Sequence, residues 1–203
     1  MAGALHWEGE GAEVHKVVVG PMDNNVFVLR CTGTGEAVLV DAANEAERIL
    51  GMAKDLNVGR VLTTHGHWDH IQAVPQVREA GYRVAVSAAD AGMLPGYDDV
   101  LEDDTTLEVG RLRLRTILTP GHTPGSMCFR LEGQPLLFSG DTLFPGGPGN
   151  TDRDPERFAT ILQSIETRLF PEGDDVLVLP GHGDDTTVGT EKPHFGEWVE
   201  RGW

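Results

Sequence analysis

Four ionisable side chains fall within six consecutive positions, namely His65, His67, Asp69 and His70. Such a cluster is not expected in a hydrophobic core, because burying these groups costs free energy unless they are paired or bind a metal. Imidazole nitrogens and carboxylate oxygens suit zinc, and they also suit iron or manganese. The cluster therefore predicts a metal centre.

Three further candidate ligands, His122, Asp141 and His182, each come shortly after an apolar run. Taken singly, a histidine after a strand is more often a hydrogen-bonded loop residue than a ligand. Together with the first cluster, these residues make seven candidates, whereas a lone zinc needs only three or four protein ligands. The surplus favours two metal ions, and a carboxylate such as Asp141 has two oxygens with which to bridge them.

The apolar runs are separated by turn residues and predict a mixed α/β chain. Asp154 followed by Pro155 is typical of a helix start. If the runs are strands, their ends deliver the candidate ligands to one rim of the sheets. The predicted strands are 14–19, 26–31, 37–40, 60–63, 83–87, 106–109, 111–118, 127–131, 135–139 and 176–179, and the predicted helices are 45–56, 71–79 and 155–170.

The length of 203 residues predicts one domain over residues 1–203. The formal charge of −16 disfavours nucleic-acid or anionic membrane partners. We expect a small-molecule substrate, while the oligomeric state stays open. The first residues show no secretory signal and no segment has the length of a membrane span, so we expect a cytoplasmic protein. Cys31 and Cys128, isolated in or beside apolar runs, are predicted to be reduced core thiols.

The combined motif resembles the metallo-β-lactamase superfamily. It consists of His-x-His-x-Asp-His, a glycine-flanked histidine, Ser-Gly-Asp and Pro-Gly-His, and the resemblance runs from about Val14 to His182. It implies a four-layer αββα sandwich with two metal ions at one edge. The implied ligands are His65, His67 and His122 for the first ion, Asp69, His70 and His182 for the second, and Asp141 for both.

Within the superfamily, the chain resembles the small glyoxalase II-like hydrolases, which cleave S-hydroxyacyl thioesters. This implies a binuclear, metal-dependent hydrolase of a small thioester, with zinc expected and iron or manganese as alternatives. Asp69 would be the catalytic residue, accepting a hydrogen bond from the nucleophilic water. One departure is Asn150, which stands where this family usually has arginine. We also expect the protein to differ from full-length glyoxalase II in lacking its C-terminal helical domain.

Other functions remain open. A persulfide dioxygenase shares the motif but binds one iron, for which His65, His122 and Asp141 would be the ligands. A lactonase of this fold usually carries tyrosine near the position of Phe144, and a non-enzymatic metal-binding role belongs to a different class. Asp41 either orients a ligand histidine or caps a turn, and Trp68 is expected to pack beneath the motif rather than line an entrance.

Overall fold

The computed structural model of the protein describes residues 3–202. The strands in this range are β1 (Ala4–Gly9), β2 (Ala12–Val19), β3 (Asn24–Cys31), β4 (Ala37–Val40), β5 (Val58–Leu62), β6 (Arg83–Ser87), β7 (Asp99–Leu101), β8 (Thr106–Val109), β9 (Leu112–Leu118), β10 (Met127–Leu131), β11 (Leu136–Gly140), β12 (Leu143–Phe144), β13 (Gly147–Pro148), β14 (Leu177–Pro180) and β15 (Thr186–Thr187). The α-helices are α1 (Ala46–Asp55), α2 (Trp68–Ile71), α3 (Val74–Glu79), α4 (Pro155–Ser164), α5 (Val188–Glu191) and α6 (Phe195–Arg201).

Two sheets form the inner layers of the fold. The first contains β1 to β7 in chain order, and the second has the order β15-β14-β11-β10-β9-β8. One apolar cluster fills the space between the sheets, a second packs α1 and α3 on the first sheet, and a third packs α4 and α6 on the second. The chain is therefore a four-layer αββα sandwich, which confirms the predicted fold.

The central strands have both faces buried, and this explains why their apolar runs are continuous. Along β3, Phe27 and Leu29 face the other sheet, whereas Val26 and Val28 face the helices. In the second sheet, Phe138 lies between the sheets and Leu137 packs against the helical layer. A strand covered on both sides needs apolar residues at consecutive positions.

The predicted strands are all present, with ends that differ by at most two residues. The predicted helix 155–170 begins as expected, because Asp154 accepts hydrogen bonds from the backbone N–H groups of Glu156 at 2.8 Å and Arg157 at 3.1 Å. It ends at Ser164 as an α-helix and continues as a π-helical turn, Ile165–Leu169, and a 3₁₀ turn that contains Pro171. Proline has no N–H to donate, so it favours the end of a helix.

The predicted helix 71–79 is wrong in its bounds, because the chain forms two short helices, Trp68–Ile71 and Val74–Glu79, with Pro75 in the first turn of the second. Sequence analysis also missed β1, β7, the β12–β13 ribbon, β15, α5 and α6. Most of these elements are short or lie at sheet edges, where the hydrophobic periodicity is weak.

Two predictions from composition are tested by the structure. Cys31 and Cys128 are both buried and are not paired in a disulfide, which confirms them as core thiols. Within residues 3–202, none of the helices is long and apolar enough to cross a membrane.

Strand direction gathers the predicted ligands at one edge of the sandwich. In the first sheet, β4, β5 and β6 run parallel. In the second sheet, β9 and β11 both run antiparallel to β10, and β14 runs parallel to β11. The backbone N–H of Met127 donates to the carbonyl of Thr64 at 2.8 Å and joins the two sheets at this edge.

Candidate metal centre

All seven predicted ligands converge at the edge where the parallel strands end. Their donor atoms form three overlapping groups, and within each group the atoms lie within 4.8 Å of one another. The groups are His65, His67 and His122; His65, His70 and Asp141; and Asp69, His70 and His182.

Asp141 lies between the other ligands. Its Oδ1 is 3.4 Å from Nε2 of His70, and its Oδ2 is 3.6 Å from Nε2 of both His122 and His182. The Oδ1 atom is buried and has no hydrogen-bond partner among the described residues. A buried carboxylate oxygen without a partner is costly, so this atom is positioned to bind a cation.

The orientation of His65 and His70 depends on Asp41, which directly follows β4 and has a φ of 63°. Oδ2 of Asp41 accepts from Nδ1 of His70 at 2.8 Å and from the Thr64 hydroxyl at 2.7 Å. Because the Thr64 hydroxyl donates to Asp41, it accepts from Nδ1 of His65 at 3.0 Å. Asp41 therefore orients two of the candidate ligand histidines, which is the first of the two roles that the sequence left open.

Backbone carbonyl groups orient two other histidines. Nδ1 of His122 donates to the carbonyl of Asn150 at 2.7 Å, and Nδ1 of His182 donates to the carbonyl of Met22 at 2.8 Å. In each of these rings, as in His65 and His70, the proton on Nδ1 leaves Nε2 facing the other candidate ligands. Such a partner on the second nitrogen is usual for metal-binding histidines.

The contact between His65 and His122 tests whether these residues fit a metal. Burial lowers the pKa of both imidazoles, so both are neutral near pH 7. Their Nε2 atoms carry lone pairs and lie 3.2 Å apart. Two nitrogens bound tetrahedrally to one zinc ion at about 2.0–2.1 Å would lie about 3.3 Å apart, so the pair fits a shared ion.

The charge around His70 also favours a cation. Burial lowers the pKa of His70, but the negative charges of Asp141 and Asp41 and the hydrogen bond to Asp41 outweigh this effect and hold that pKa well above its ordinary value. The Nε2 atoms of His70 and His182 are 3.1 Å apart. A field that stabilises positive charge on an imidazole also stabilises a divalent ion in the same place.

Trp68 lies at the surface of this edge, with 58% of its area exposed. The expectation that it packs beneath the motif is therefore wrong. The short helix α2 directs His70 and Ile71 inward, and Trp68 at its first position points away from them. Another aromatic ring, that of Phe144, stacks on His182 with a centroid distance of 6.5 Å.

Comparison with known proteins places this arrangement in a family. The family model described as "Metallo-beta-lactamase superfamily" matches residues 19–182, which include all seven candidate ligands. The chain belongs to the metallo-β-lactamase superfamily.

Two relatives and one solved structure illustrate the likeness within this superfamily. "Probable metallo-hydrolase YqgX" of Bacillus subtilis is 33% identical, over 87% of this chain and 93% of that protein. "Hydroxyacylglutathione hydrolase GloC" of Haemophilus influenzae is 34% identical, over 77% of this chain and 84% of that protein. The crystal structure of TTHA1623 "in a di-iron-bound form" has a TM-score of 0.74 at 27% identity, and the match covers 87% of this chain and 96% of that one.

Sequence analysis missed Asn24, which begins β3 at the same edge of this superfamily fold. Its side-chain amide donates to Oδ2 of Asp69 at 3.0 Å, and its backbone forms an isolated bridge with His182. A single asparagine at the start of a strand is ordinarily a turn residue. The sequence therefore contains no signal for this contact.

Asp90 is a second missed residue, and it is fully buried. Its carboxylate accepts from the backbone N–H of Gly66 at 2.8 Å, from the Thr123 hydroxyl at 2.7 Å and from the backbone N–H of Gly125 at 2.7 Å. Gly66 lies between two candidate ligands, and Thr123 follows His122. Asp90 therefore joins the two loops that present His65, His67 and His122.

We expect Asp90→Asn to lower the free energy of unfolding of the metal-free protein by about 2–3 kcal/mol, because the amide group leaves at least one buried donor unpaired. Urea unfolding measures the change. Asp55→Asn, an exposed substitution at the end of α1, is the matched control and should stay within about 0.5 kcal/mol of the unsubstituted protein. Equal stability of the two variants would show that the Asp90 contacts contribute nothing.

Proposed function

We propose that this metallo-β-lactamase superfamily member is a binuclear metal-dependent hydrolase of a small S-acyl thioester. The observation that supports it most strongly is the pair of neutral imidazoles, His65 and His122, whose Nε2 lone pairs face each other at 3.2 Å. We assign one ion to His65, His67 and His122, a second to Asp69, His70 and His182, and Asp141 to both.

When bound, two divalent ions lower the pKa of a water molecule to near neutrality and polarise a substrate carbonyl. The residues of the chain orient the reacting groups. The amide of Asn24 holds one oxygen of Asp69 at 3.0 Å, so that the carboxylate accepts a hydrogen bond from the nucleophilic water in a fixed direction. Asp41 holds His70 in the same way. This rigidity reduces the reorganisation needed during reaction.

A thioester fits a site at which, among residues 3–202, every histidine is a candidate metal ligand and none is left to act as a general acid. The remaining histidines of the chain are paired elsewhere: His6 with Asp185 at 2.8 Å, His15 with the carbonyl of Gly3 at 3.1 Å, and His194 with Glu197 at 3.1 Å. A thiolate leaves readily without protonation, whereas an alkoxide or amine leaving group benefits from a general acid. The similarity to the hydroxyacylglutathione hydrolase of Haemophilus influenzae supports the same substrate class.

A mononuclear iron dioxygenase is the second candidate. Nε2 of His122 lies 3.2 Å from Nε2 of His65 and 3.6 Å from Oδ2 of Asp141. These three residues therefore place two imidazoles and one carboxylate close together. This combination is typical of non-haem iron oxygenases. We rank it second because it leaves Asp69, His70 and His182 without a role in metal binding.

We expect the purified, metal-loaded protein to contain about two metal equivalents per chain, with zinc favoured over iron or manganese. Elemental analysis combined with titration of the metal-free protein measures both the number and the affinities. Saturation at one equivalent would contradict the binuclear assignment. The similarity to a structure solved in a di-iron-bound form makes iron the first alternative metal to test.

The substrate class is tested with a hydrolysis screen across thioesters, lactones, β-lactams and phosphodiesters on the same metal-loaded sample. We expect turnover of thioesters of low-molecular-weight thiols, with no requirement for oxygen. Turnover of lactones or phosphodiesters without any thioester cleavage would reject the proposed substrate.

A further inference from the structure

A cleft of about 380 Å³ lies beside the candidate metal centre and is lined by two arginines. Arg153 comes from the loop before α4, and Arg201 from the end of α6. We call this the arginine cleft, and its lining residues are Pro148, Gly149, Asn150, Thr151, Arg153 and Arg201.

The wall of the arginine cleft is continuous with the metal centre. Gly149 and Asn150 end the loop that starts at Asp141, and the carbonyl of Asn150 accepts from Nδ1 of His122 at 2.7 Å. The backbone N–H of Gly149 donates to the carbonyl of Thr142 at 3.2 Å, which holds this loop against the base of the site. One imidazole ring therefore separates the cleft wall from the candidate ligand atoms.

The two arginines give the arginine cleft a positive charge, whereas the whole chain carries a net charge of −16. The neighbouring Asp152 is already paired with Arg157 at 2.6 Å. Within the described part of the chain, Arg153 forms neither an ion pair nor a hydrogen bond. The guanidinium of Arg201 reaches across to the ribbon, where its Nη2 lies 3.0 Å from the position that a Cβ on Gly147 would occupy.

We propose that the arginine cleft binds a carboxylate of the substrate while the thioester lies at the metal centre, an inference that rests on the proposed function. A guanidinium presents two parallel N–H donors that match the two oxygens of a carboxylate. In a strongly acidic protein, Arg153, which has no acidic partner within residues 3–202, provides local attraction for an anionic substrate near the candidate metal centre.

Two pairs of thioesters test the proposal and locate the carboxylate. S-acetyl-N-acetylcysteine and S-acetyl-N-acetylcysteamine differ only by a carboxylate on the thiol. S-glutaryl- and S-hexanoyl-N-acetylcysteamine differ by a carboxylate on the acyl group. We expect the protein to prefer the charged member of at least one pair by about tenfold or more in kcat/KM, the lower end of the range for a hydrogen bond to a charged group.

The double variant Arg153→Gln/Arg201→Gln should reduce that preference about tenfold, mainly by raising KM for the charged substrate. Arg113→Gln, which removes an exposed arginine paired with Glu132 at 2.7 Å, is the matched control and should keep the preference. Equal kcat/KM within both pairs, or a preference that persists in the double variant, would overturn the proposal.

A second measurement separates this inference from the proposed function. If the metal-loaded protein cleaves none of the thioesters, the proposed function fails, and the cleft is then tested by binding of two pairs of thioethers that cannot be hydrolysed. The pairs are N-acetyl-S-butylcysteine with N-acetyl-S-butylcysteamine, and S-(4-carboxybutyl)- with S-hexyl-N-acetylcysteamine. The charged member of at least one pair should bind about tenfold more tightly, and only in a protein that retains Arg153 and Arg201. Equal affinities within both pairs in calorimetry would overturn the assignment of the cleft.

Discussion

The His182→Ala variant is expected to retain about one metal ion per chain and to lose at least ~100-fold in hydrolytic rate, about 3 kcal/mol of transition-state stabilisation. His182 belongs to the group that contains Asp69 and His70, and its Nε2 lies 3.3 Å from Oδ2 of Asp69. Removing it takes away one of the four protein donors assigned to the second ion, which are Asp69, His70, His182 and the shared Asp141, and so weakens the binding of that ion.

Elemental analysis and thioester kinetics on the same preparation measure both effects. His194→Ala is the matched control, because His194 is exposed and, among the described residues, its side chain pairs with Glu197 in α6 and not with any candidate ligand. It should retain two ions and full activity. A His182→Ala protein that keeps its activity, copurifies with one iron and consumes oxygen with a persulfide substrate would replace the hydrolase with the dioxygenase.

Gly181→Ala is expected to cause a comparable loss, at least ~100-fold in rate, and to reduce the number of bound ions below two. A Cβ at this position would overlap Oδ1 of Asp141 and would lie 2.7 Å from Cε1 of His70. Two hydrogen bonds hold the backbone of Gly181 in place. Its N–H donates to the carbonyl of Gly140 at 2.8 Å, and its carbonyl accepts from the backbone N–H of Asn25 at 2.7 Å. The methyl group therefore displaces two candidate ligands at once.

The φ angle of Gly181 is not positive, so alanine is tolerated by the backbone and the effect of the variant comes from space alone. Gly51→Ala in α1 is the control, since a Cβ there meets no atom within 4 Å. That control should leave metal binding unchanged and raise stability by about 0.5–1 kcal/mol. Full metal content and activity in Gly181→Ala would show that Asp141 and His70 do not act as ligands.

The spacing of the histidines and aspartates predicted which residues meet, because each follows an apolar run that forms a strand. His65 follows β5, His122 follows β9, and Asp141 follows β11 directly. Strand polarity places these ends at one edge of the sandwich, so local sequence was sufficient to identify the candidate ligands. The αββα layers were predicted from the family resemblance and the mixed α/β pattern, and the inner and outer faces of β3 and β11 confirm them.

The sequence was less informative about short elements and about residues that act through others. Helix α2 contains a single turn, and the third predicted helix changes to π-helical geometry at Ile165. Periodicity over one turn carries little information, and packing against the sheet decides where such a helix ends. Trp68 is exposed because it is the first residue of α2, whose buried residues are His70 and Ile71. The residues beside Trp68 in the sequence do not predict this orientation.

The amino-acid sequence by itself determined which side chains of this protein are candidate metal ligands, since residue type and position at a strand end are local properties. Tertiary structure alone decided how those ligands are oriented. Asn24 reaches Asp69, Asp90 reaches Gly66 and Thr123, and the two arginines of the cleft come from separate segments. These partners are distant along the chain, and only the packing of the two sheets and the outer helices brings them together.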